Sequence, residues 1–309
     1  MRAGLELWAT RTGTRLLIED DRSDPDEAAR LHAALVARGC RFVLGPYGSD
    51  SVRAVATAEP AGVVWNHGGA ADDVQRLPGV ISVASPASGY LIALARAVAA
   101  LVPGARIAVA TAGGRFARFA REGLERERRA LGVEVAAAFS IRDPPDAIAA
   151  AGADAILACG PVGPEVELLR ALAELAPGAL RGGVSPGLAG FPALLEGDPE
   201  GLIAPAQWHP ETGGSPELGP SSPEVVADAR ARGPVELDYV GAQAYAAALI
   251  AERCHELSAD DPPGAARRLR TTTFFGDFEL DPATGLQRGH RLAVVRWSGG
   301  RQEALLAAA

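Results

Sequence analysis

Gly183-Val184-Ser185-Pro186-Gly187 has the G-x-S-x-G spacing of a serine nucleophile on a strand-to-helix turn, and His67-Gly68-Gly69-Ala70 upstream has the glycine pattern of an esterase oxyanion loop. Together they describe a serine hydrolase with Ser185 as nucleophile. Pro186 argues against it. The residue after the serine must supply an oxyanion N–H, proline has none, and one missing donor costs about 2.7–4 kcal/mol of barrier. A strand-end turn punctuated by proline and glycine is the preferred reading, with the hydrolase kept as an alternative. The histidines, His32, His67, His209, His255 and His290, show neither H-x-x-x-H nor H-E-x-x-H spacing, so no metal site is expected. The acidic run Glu19-Asp20-Asp21-Arg22-Ser23-Asp24 lacks EF-hand spacing and reads as a solvated strand end with a helix cap.

All 30 basic residues are arginine. A lysine Schiff base, a P-loop lysine and a Ser-Lys dyad are therefore excluded. No G-x-G-x-x-G or Walker run occurs, and no cofactor is expected. Cys40, Cys159 and Cys254 are far apart, with no C-x-x-C for zinc or redox chemistry.

The most informative segment is Val43-Leu44-Gly45-Pro46-Tyr47-Gly48-Ser49-Asp50-Ser51. A strand runs into a glycine-flanked loop and places Ser49 at a helix N-terminus, where free N–H groups and the positive dipole end suit a carboxylate or phosphate. One strand later, Trp65-Asn66-His67-Gly68-Gly69-Ala70 offers a second loop with backbone donors. Both loops follow strands, so both belong at the same sheet edge, where open α/β sheets bind ligands.

The elements that position these loops alternate along most of the chain. Strands are expected at 14–19, 41–45, 62–66, 80–83, 106–111, 133–139, 154–159, 181–185 and 201–204, and helices at 24–38, 50–58, 90–101, 115–130 and 164–175. Asp24 reads as an N-cap with Pro25 at N1 and Glu27 closing a capping box, and Gly39 ends the helix. Regular βα alternation means parallel sheets covered on both faces by helices. Two cycles of it mean two lobes, which 309 residues suffice to build. After the Pro/Gly/Ser-rich break at 209–223 come helices at 224–232 and about 237–256, then an extended tail with a turn at Asp281-Pro282-Ala283-Thr284-Gly285. Composition is that of an ordinary globular chain, with 48% hydrophobic and 22% charged residues. A net charge of −8 provides no footprint for nucleic acid.

Taken in order, Ile18-Glu19-Asp20-Asp21, Ser23-Asp24-Pro25, the Gly45–Ser49 loop, the glycine loop at 67–70, Gly160 to Glu165, Gln243-Ala244-Tyr245-Ala246-Ala247 and Thr273-Phe274-Phe275-Gly276-Asp277-Phe278-Glu279-Leu280-Asp281, with the closing strand to Trp297, carry a resemblance over nearly the whole chain. The sequence resembles the substrate-binding proteins of branched-chain amino-acid ABC importers. The resemblance implies the type I periplasmic binding-protein fold: two Rossmann-like α/β lobes with parallel sheets joined by three crossovers, lobe one from 1–102 plus 235–290 and lobe two from 103–234 plus 291–309. It implies hinge closure on a small carboxylate-bearing ligand, an amino acid or related organic acid, and docking on a membrane permease, with no catalysis. By position, Ser49 would bond the ligand carboxylate and Gly68 and Gly69 would offer it backbone N–H groups. Tyr47 and His67 would flank it. Phe116, Val162, Ser185 and Trp208 would face it from lobe two, and Tyr239 lies near the last crossover. One departure bears on the ligand. The amino-acid binders carry an acid from lobe two against the ligand ammonium, whereas Val184-Ser185-Pro186-Gly187 has none. A buried ammonium without a counter-charge is costly, which points to an aliphatic or aromatic acid lacking the amine.

The resemblance implies an extracytoplasmic address, periplasmic or as a cell-surface lipoprotein. Met1–Glu6 lacks the apolar core of a secretory signal, which keeps a cytoplasmic ligand sensor of the same fold as the alternative. The family pattern begins with a strand, a ligand-facing loop and a helix, and here residues 3–9 match only the end of that helix. The expectation is a front shortened by on the order of 25 residues. That would leave unpaired backbone edges in lobe one, unless residues 3–9, with Leu5 and Leu7 alternating about Glu6, refold as a strand.

Overall fold

The computed structural model describes residues 1–233 and 237–306. In chain order the strands are β1 (Val64–Asn66), β2 (Val80–Ser82), β3 (Arg106–Thr111), β4 (Glu134–Ser140), β5 (Ala155–Cys159), β6 (Leu180–Gly183), β7 (Ile203–Ala206), β8 (Arg270–Thr273), β9 (Gly276–Glu279), β10 (Ala293–Ser298) and β11 (Arg301–Leu306). The chain divides into two compact units, Met1–Pro86 with Gly213–Arg291, and Ala87–Thr212 with the segment from Leu292 onward. Among the described residues, no helix is long and apolar enough to cross a membrane.

The second unit holds a seven-stranded sheet in the order β11-β10-β7-β6-β5-β3-β4. β3 to β7 pair in parallel, and β10 closes antiparallel on β7 and β11. This is the βα alternation expected for 106–204. The helix Val162–Leu175 buries Val166, Leu168, Leu169 and Leu172 against Ile156 and Ala158, in a core shared with Phe191 and Trp297. Spacing of three and four residues makes one helical stripe of these positions.

The first unit is poorer in sheet. β1 and β2 pair in parallel, and Leu44 adds an isolated parallel bridge to Trp65. The strand expected at 14–19 does not form, and the one at 41–45 shrinks to that bridge. A strand exists only through a ladder partner. Among the described residues, 15–19 have none, and 41–45 has one on a single side. Residues 3–9 are not a strand either. They lie in the helix Arg2–Thr12, which packs so closely on the long helix Tyr239–Leu257 that a Cβ at Gly4 would overlap the Gly241 carbonyl. The cap at 24–27 forms in part: Asp24 accepts the Glu27 N–H at 2.8 Å with Pro25 at N1, but the Glu27 carboxylate turns to Arg30 at 2.6 Å instead of closing the box. In the tail, β8 and β9 form a hairpin turning at Phe274-Phe275, while Asp281–Gly285 makes a second turn closed by Gly285 N–H to Asp281 C=O at 2.7 Å.

Two segments group differently from the lobe limits read off the sequence. The helix Tyr90–Leu101 belongs to the second unit. Tyr90 stacks edge-on against Phe116 at 4.8 Å, and Gly123 leaves room for the Ser88 carbonyl. The helix Ser222–Arg232 belongs to the first unit. There Arg11 pairs with Glu224 and Asp228, and Ser222 Oγ donates to Phe274 C=O at 3.2 Å. The lobe limit expected at 234/235 lies outside the described residues.

Candidate functional site

In the first unit the two loops expected at one sheet edge are tied to each other. Gly45 N–H donates to Trp65 C=O at 3.0 Å, Gly48 N–H to Gly68 C=O at 3.3 Å, and Ala71 N–H to Ser49 Oγ at 3.1 Å. Gly45 (φ 84°) and Gly48 (φ 96°) supply the left-handed backbone that this turn requires. The helix Ser49–Ala56 takes Gly48 as its N-cap and has no side-chain cap bond. Ser49 Oγ therefore spends a lone pair on the neighbouring loop and keeps its own proton for another acceptor. Ala70 N–H has no hydrogen-bond partner among the described residues.

Gly68 and Gly69, expected to aim their N–H groups at a carboxylate, both donate to Asn66 Oδ1, at 3.1 and 2.7 Å. Asn66 is fully buried, and its amide returns bonds to Gly69 C=O at 2.8 Å and Ser82 Oγ at 3.1 Å. Asn66 thus holds the glycine loop in shape, a role that sequence reasoning missed. The available signal was an Asn two residues before a Gly-Gly pair, the spacing of a side chain that closes a turn on backbone two and three residues on. The donors left open here are the Ser49 hydroxyl and the Ala70 N–H.

The walls of this site are Tyr47 and His67, with ring centroids 6.5 Å apart. Tyr47 is 42% exposed and lies over Gly68, where a Cβ would run into its ring. His67 is buried, and burial pushes its pKa down to about 4, so its imidazole is neutral near pH 7. Its Nδ1 has no hydrogen-bond partner among the described residues. Tyr239, also in this unit, is buried as the first residue of its helix, behind the Asp238 cap.

In the second unit, Phe116, Val162, Ser185 and Trp208 follow the carboxyl ends of β3, β5, β6 and β7. These strands are neighbours running in parallel, so the fold brings all four residues to one edge, the usual ligand edge of such sheets. Val162 is 39% exposed, Phe116 is half-buried beside Tyr90, and Trp208 is buried. Gln207 Nε2 donates to Tyr90 Oη at 2.6 Å.

Ser185 is not a nucleophile. Its hydroxyl donates to the carboxylate of Glu165, and the Val184 and Ser185 N–H groups reach the same carboxylate at 2.9 and 2.6 Å. The Pro186 carbonyl accepts Trp297 Nε1 and Gln302 Nε2, both at 2.8 Å. The G-x-S-x-G run is a turn pinned from below by a buried acid. Burial raises the Glu165 pKa to about 7, against hydrogen bonds from Ser185, Val184 and Gly160 that favour the ionised form. Glu165 also was missed, although it sits at the start of the apolar stripe 165, 168, 169, 172, where a carboxylate has to find partners.

The model of the periplasmic binding protein family matches residues 2–301. None of the curated proteins compared with the chain matches it. Among solved structures, the chain is similar to a solute-binding protein of an ABC transporter from R. palustris in complex with 4-hydroxybenzoate (16% identity, TM-score 0.78, covering 98% of this chain and 89% of that one). It is also similar to a leucine-binding protein from Thermotoga maritima (16%, 0.82, 98% and 91%) and to a branched-chain amino-acid transporter substrate-binding protein from Streptococcus pneumoniae in complex with isoleucine (16%, 0.78, 98% and 92%). At these identities the likeness is one of fold.

Proposed function

The chain belongs to the periplasmic binding protein family, with its type I fold, and on that premise we propose that it is the solute-binding protein of an ABC importer, capturing a small carboxylate-bearing ligand and not acting as an enzyme. The observation that carries the proposal is the pair of interlocked loops at 45–49 and 66–71, where the Ser49 hydroxyl and Ala70 N–H remain open beside the Tyr47 and His67 rings. An anion acceptor fits these donors, and a neutral imidazole adds no charge that would repel or bind it. The partner is an ABC permease in the membrane, and the working address is extracytoplasmic.

The ligand is an aromatic or aliphatic acid without an α-ammonium. The acid nearest the Ser185 turn is Glu165, and its oxygens are taken up by Ser185, Val184 and Gly160. No carboxylate in residues 183–188 is left to face an ammonium. Structural neighbours are divided between benzoates and branched-chain amino acids, which share only the carboxylate. A thermal-shift series with benzoate, 4-hydroxybenzoate, leucine and isoleucine tests the reading. A ligand at 100 times its Kd stabilises by about 2.7 kcal/mol, worth roughly 4 °C in Tm for a chain of this size. The expected shift comes with the benzoates. A shift produced by the amino acids alone would refute the ligand class, and no shift with any small acid would refute the carboxylate site.

A further inference from the structure

The chain crosses between its two units at 86/87, 212/213 and 291/292. The first-unit ends of all three crossings come to one place, the turn of the β8–β9 hairpin at Phe274-Phe275. His290, just before the third crossing, is buried, and its ring stacks on Phe275 with centroids 4.4 Å apart. Its Nε2 lies 3.2 Å from the Phe275 carbonyl oxygen. A carbonyl only accepts, so Nε2 carries the proton, and Nδ1 of the neutral ring accepts the Ser85 hydroxyl at 2.7 Å. Ser85, also buried, stands just before the first crossing, and its Oγ lies 3.1 Å from the His290 carbonyl oxygen as well. Gln287 repeats the tie. Its buried amide donates to Val83 C=O and Asp277 C=O, both at 3.3 Å, and accepts the Gly289 and His290 N–H groups at 2.8 and 3.3 Å. Gly213 begins the return at the second crossing. A Cβ there would run into Ser222 Oγ and come within 3.0 Å of the Phe274 carbonyl oxygen, which accepts the Ser222 hydroxyl. Further on, Glu217 and Leu218 N–H both donate to Thr272 C=O, at 2.9 and 3.0 Å. Apolar side chains would fill this space in several arrangements. Buried polar ones are satisfied in few, so they fix the geometry.

We propose that the hairpin turn is the common anchor of the three crossings, pinned by His290 and Ser85, so that their first-unit ends move as one body when the protein closes on its ligand. The part in closure rests on the binding-protein reading above; the anchor itself does not. Ends that move together leave few degrees of freedom to be lost on closing, and loosening them costs affinity.

The test is hydrogen exchange of the full chain without ligand, read on one amide per crossing: Val83, which donates to Asn66 C=O, Leu218 and Gly289. His290→Ala should quicken all three by about tenfold while the interior of the helix Pro25–Ala37 stays unchanged. His290→Gln, which offers an N–H to Phe275 and an oxygen to Ser85, should restore them. Quickening at Gly289 alone would mean separately held crossings, and equal quickening in the helix would mean general destabilisation; either overturns the anchor. Should His290→Ala fail to fold by circular dichroism, Ser85→Ala decides on the same amides, with roughly threefold quickening expected. Closure is read with the acid that shifts the Tm of the unaltered chain. His290→Ala should weaken its binding about fivefold and His290→Gln should recover it; unchanged affinity with loosened crossings would overturn the part in closure. If no acid binds the unaltered chain, the ligand reading falls, and hydrogen exchange still decides on the anchor.

Discussion

Raising the pH from 5 to 7 should weaken the second unit while strengthening the first. Glu165 has its pKa raised by burial from an ordinary 4.5 to about 7. Between those values the folded chain holds a proton that the unfolded chain has released, so stability falls as pH rises. At 1.36 kcal/mol per pH unit the loss integrates to roughly 3 kcal/mol, complete above pH 7 and absent below about 4.5. His67 works in the opposite sense. Burial lowers its pKa from 6.5 to about 4, so between those values the unfolded chain binds the extra proton and stability rises with pH, again by roughly 3 kcal/mol. In the intact chain the two trends oppose each other from pH 5 to 6.5, with His32 and His255, whose pKa values burial also lowers, adding to the rise. Hydrogen exchange through sub-global opening of one unit at a time, corrected for intrinsic rates, separates them through the amides of β5 and of β1. Glu165→Gln should abolish the fall in the second unit and leave the rise in the first; His67→Phe should leave the fall and reduce the rise to what His32 and His255 contribute. The exposed Glu27, Glu224, Glu279 and Asp281, whose pKa values are lowered by their hydrogen bonds to Arg30, Ser221, Arg288 and Thr284, act only below about pH 4.5 and stay outside the window. A β5 stability that is constant or rising between pH 5 and 7 would refute the reasoning, because it would mean that the hydrogen bonds to Glu165 outweigh its burial.

Asn66→Ala leaves the Gly69 carbonyl and the two glycine N–H groups without their buried partner; at about 1–3 kcal/mol per orphaned group, with part of the loss recovered by relaxation, urea unfolding should report roughly 2–4 kcal/mol of destabilisation. Gly68→Ala should separate binding from stability. Its Cβ displaces the half-exposed Tyr47 ring, so stability should change by less than about 1 kcal/mol while the thermal shift with the preferred acid falls by more than half; an unchanged shift would remove Tyr47 from the site.

Much of the second unit was legible in advance. Its strands at 106–111, 134–140 and 155–159 are apolar runs between helix signals, and each pairs with a neighbour of the same kind. The first unit was read less well, for one reason. Leu16-Leu17-Ile18 and Phe42-Val43-Leu44 have strand-like sequences, but their edges have too few partners, and propensity does not supply a ladder. The site shows the same division. Ser49, the glycine loop and its flanking rings were recognisable from residue types, and the structure does bring the 45–49 and 66–71 loops together. The occupant of the Gly68 and Gly69 N–H groups was not, since the Asn66 amide commits to them only when Ser82 and the Gly69 carbonyl hold its other end.

By itself the sequence determined the α/β class, the approximate bounds of seven helices and the Asp24 cap, the position of the loops after strands, and the absence of an acid in residues 184–187. Each of these rests on residues within a turn or two of one another. Tertiary structure decided which backbone groups find partners and which polar side chains are buried: Asn66 against Ser82, Ser49 against Ala71, and Glu165 beneath Ser185, which turned an apparent nucleophile into the support of a turn. Those partners are 16, 22 and 20 residues apart. Hydrogen-bond satisfaction and desolvation depend on what the folded chain brings alongside, which periodicity and spacing do not encode.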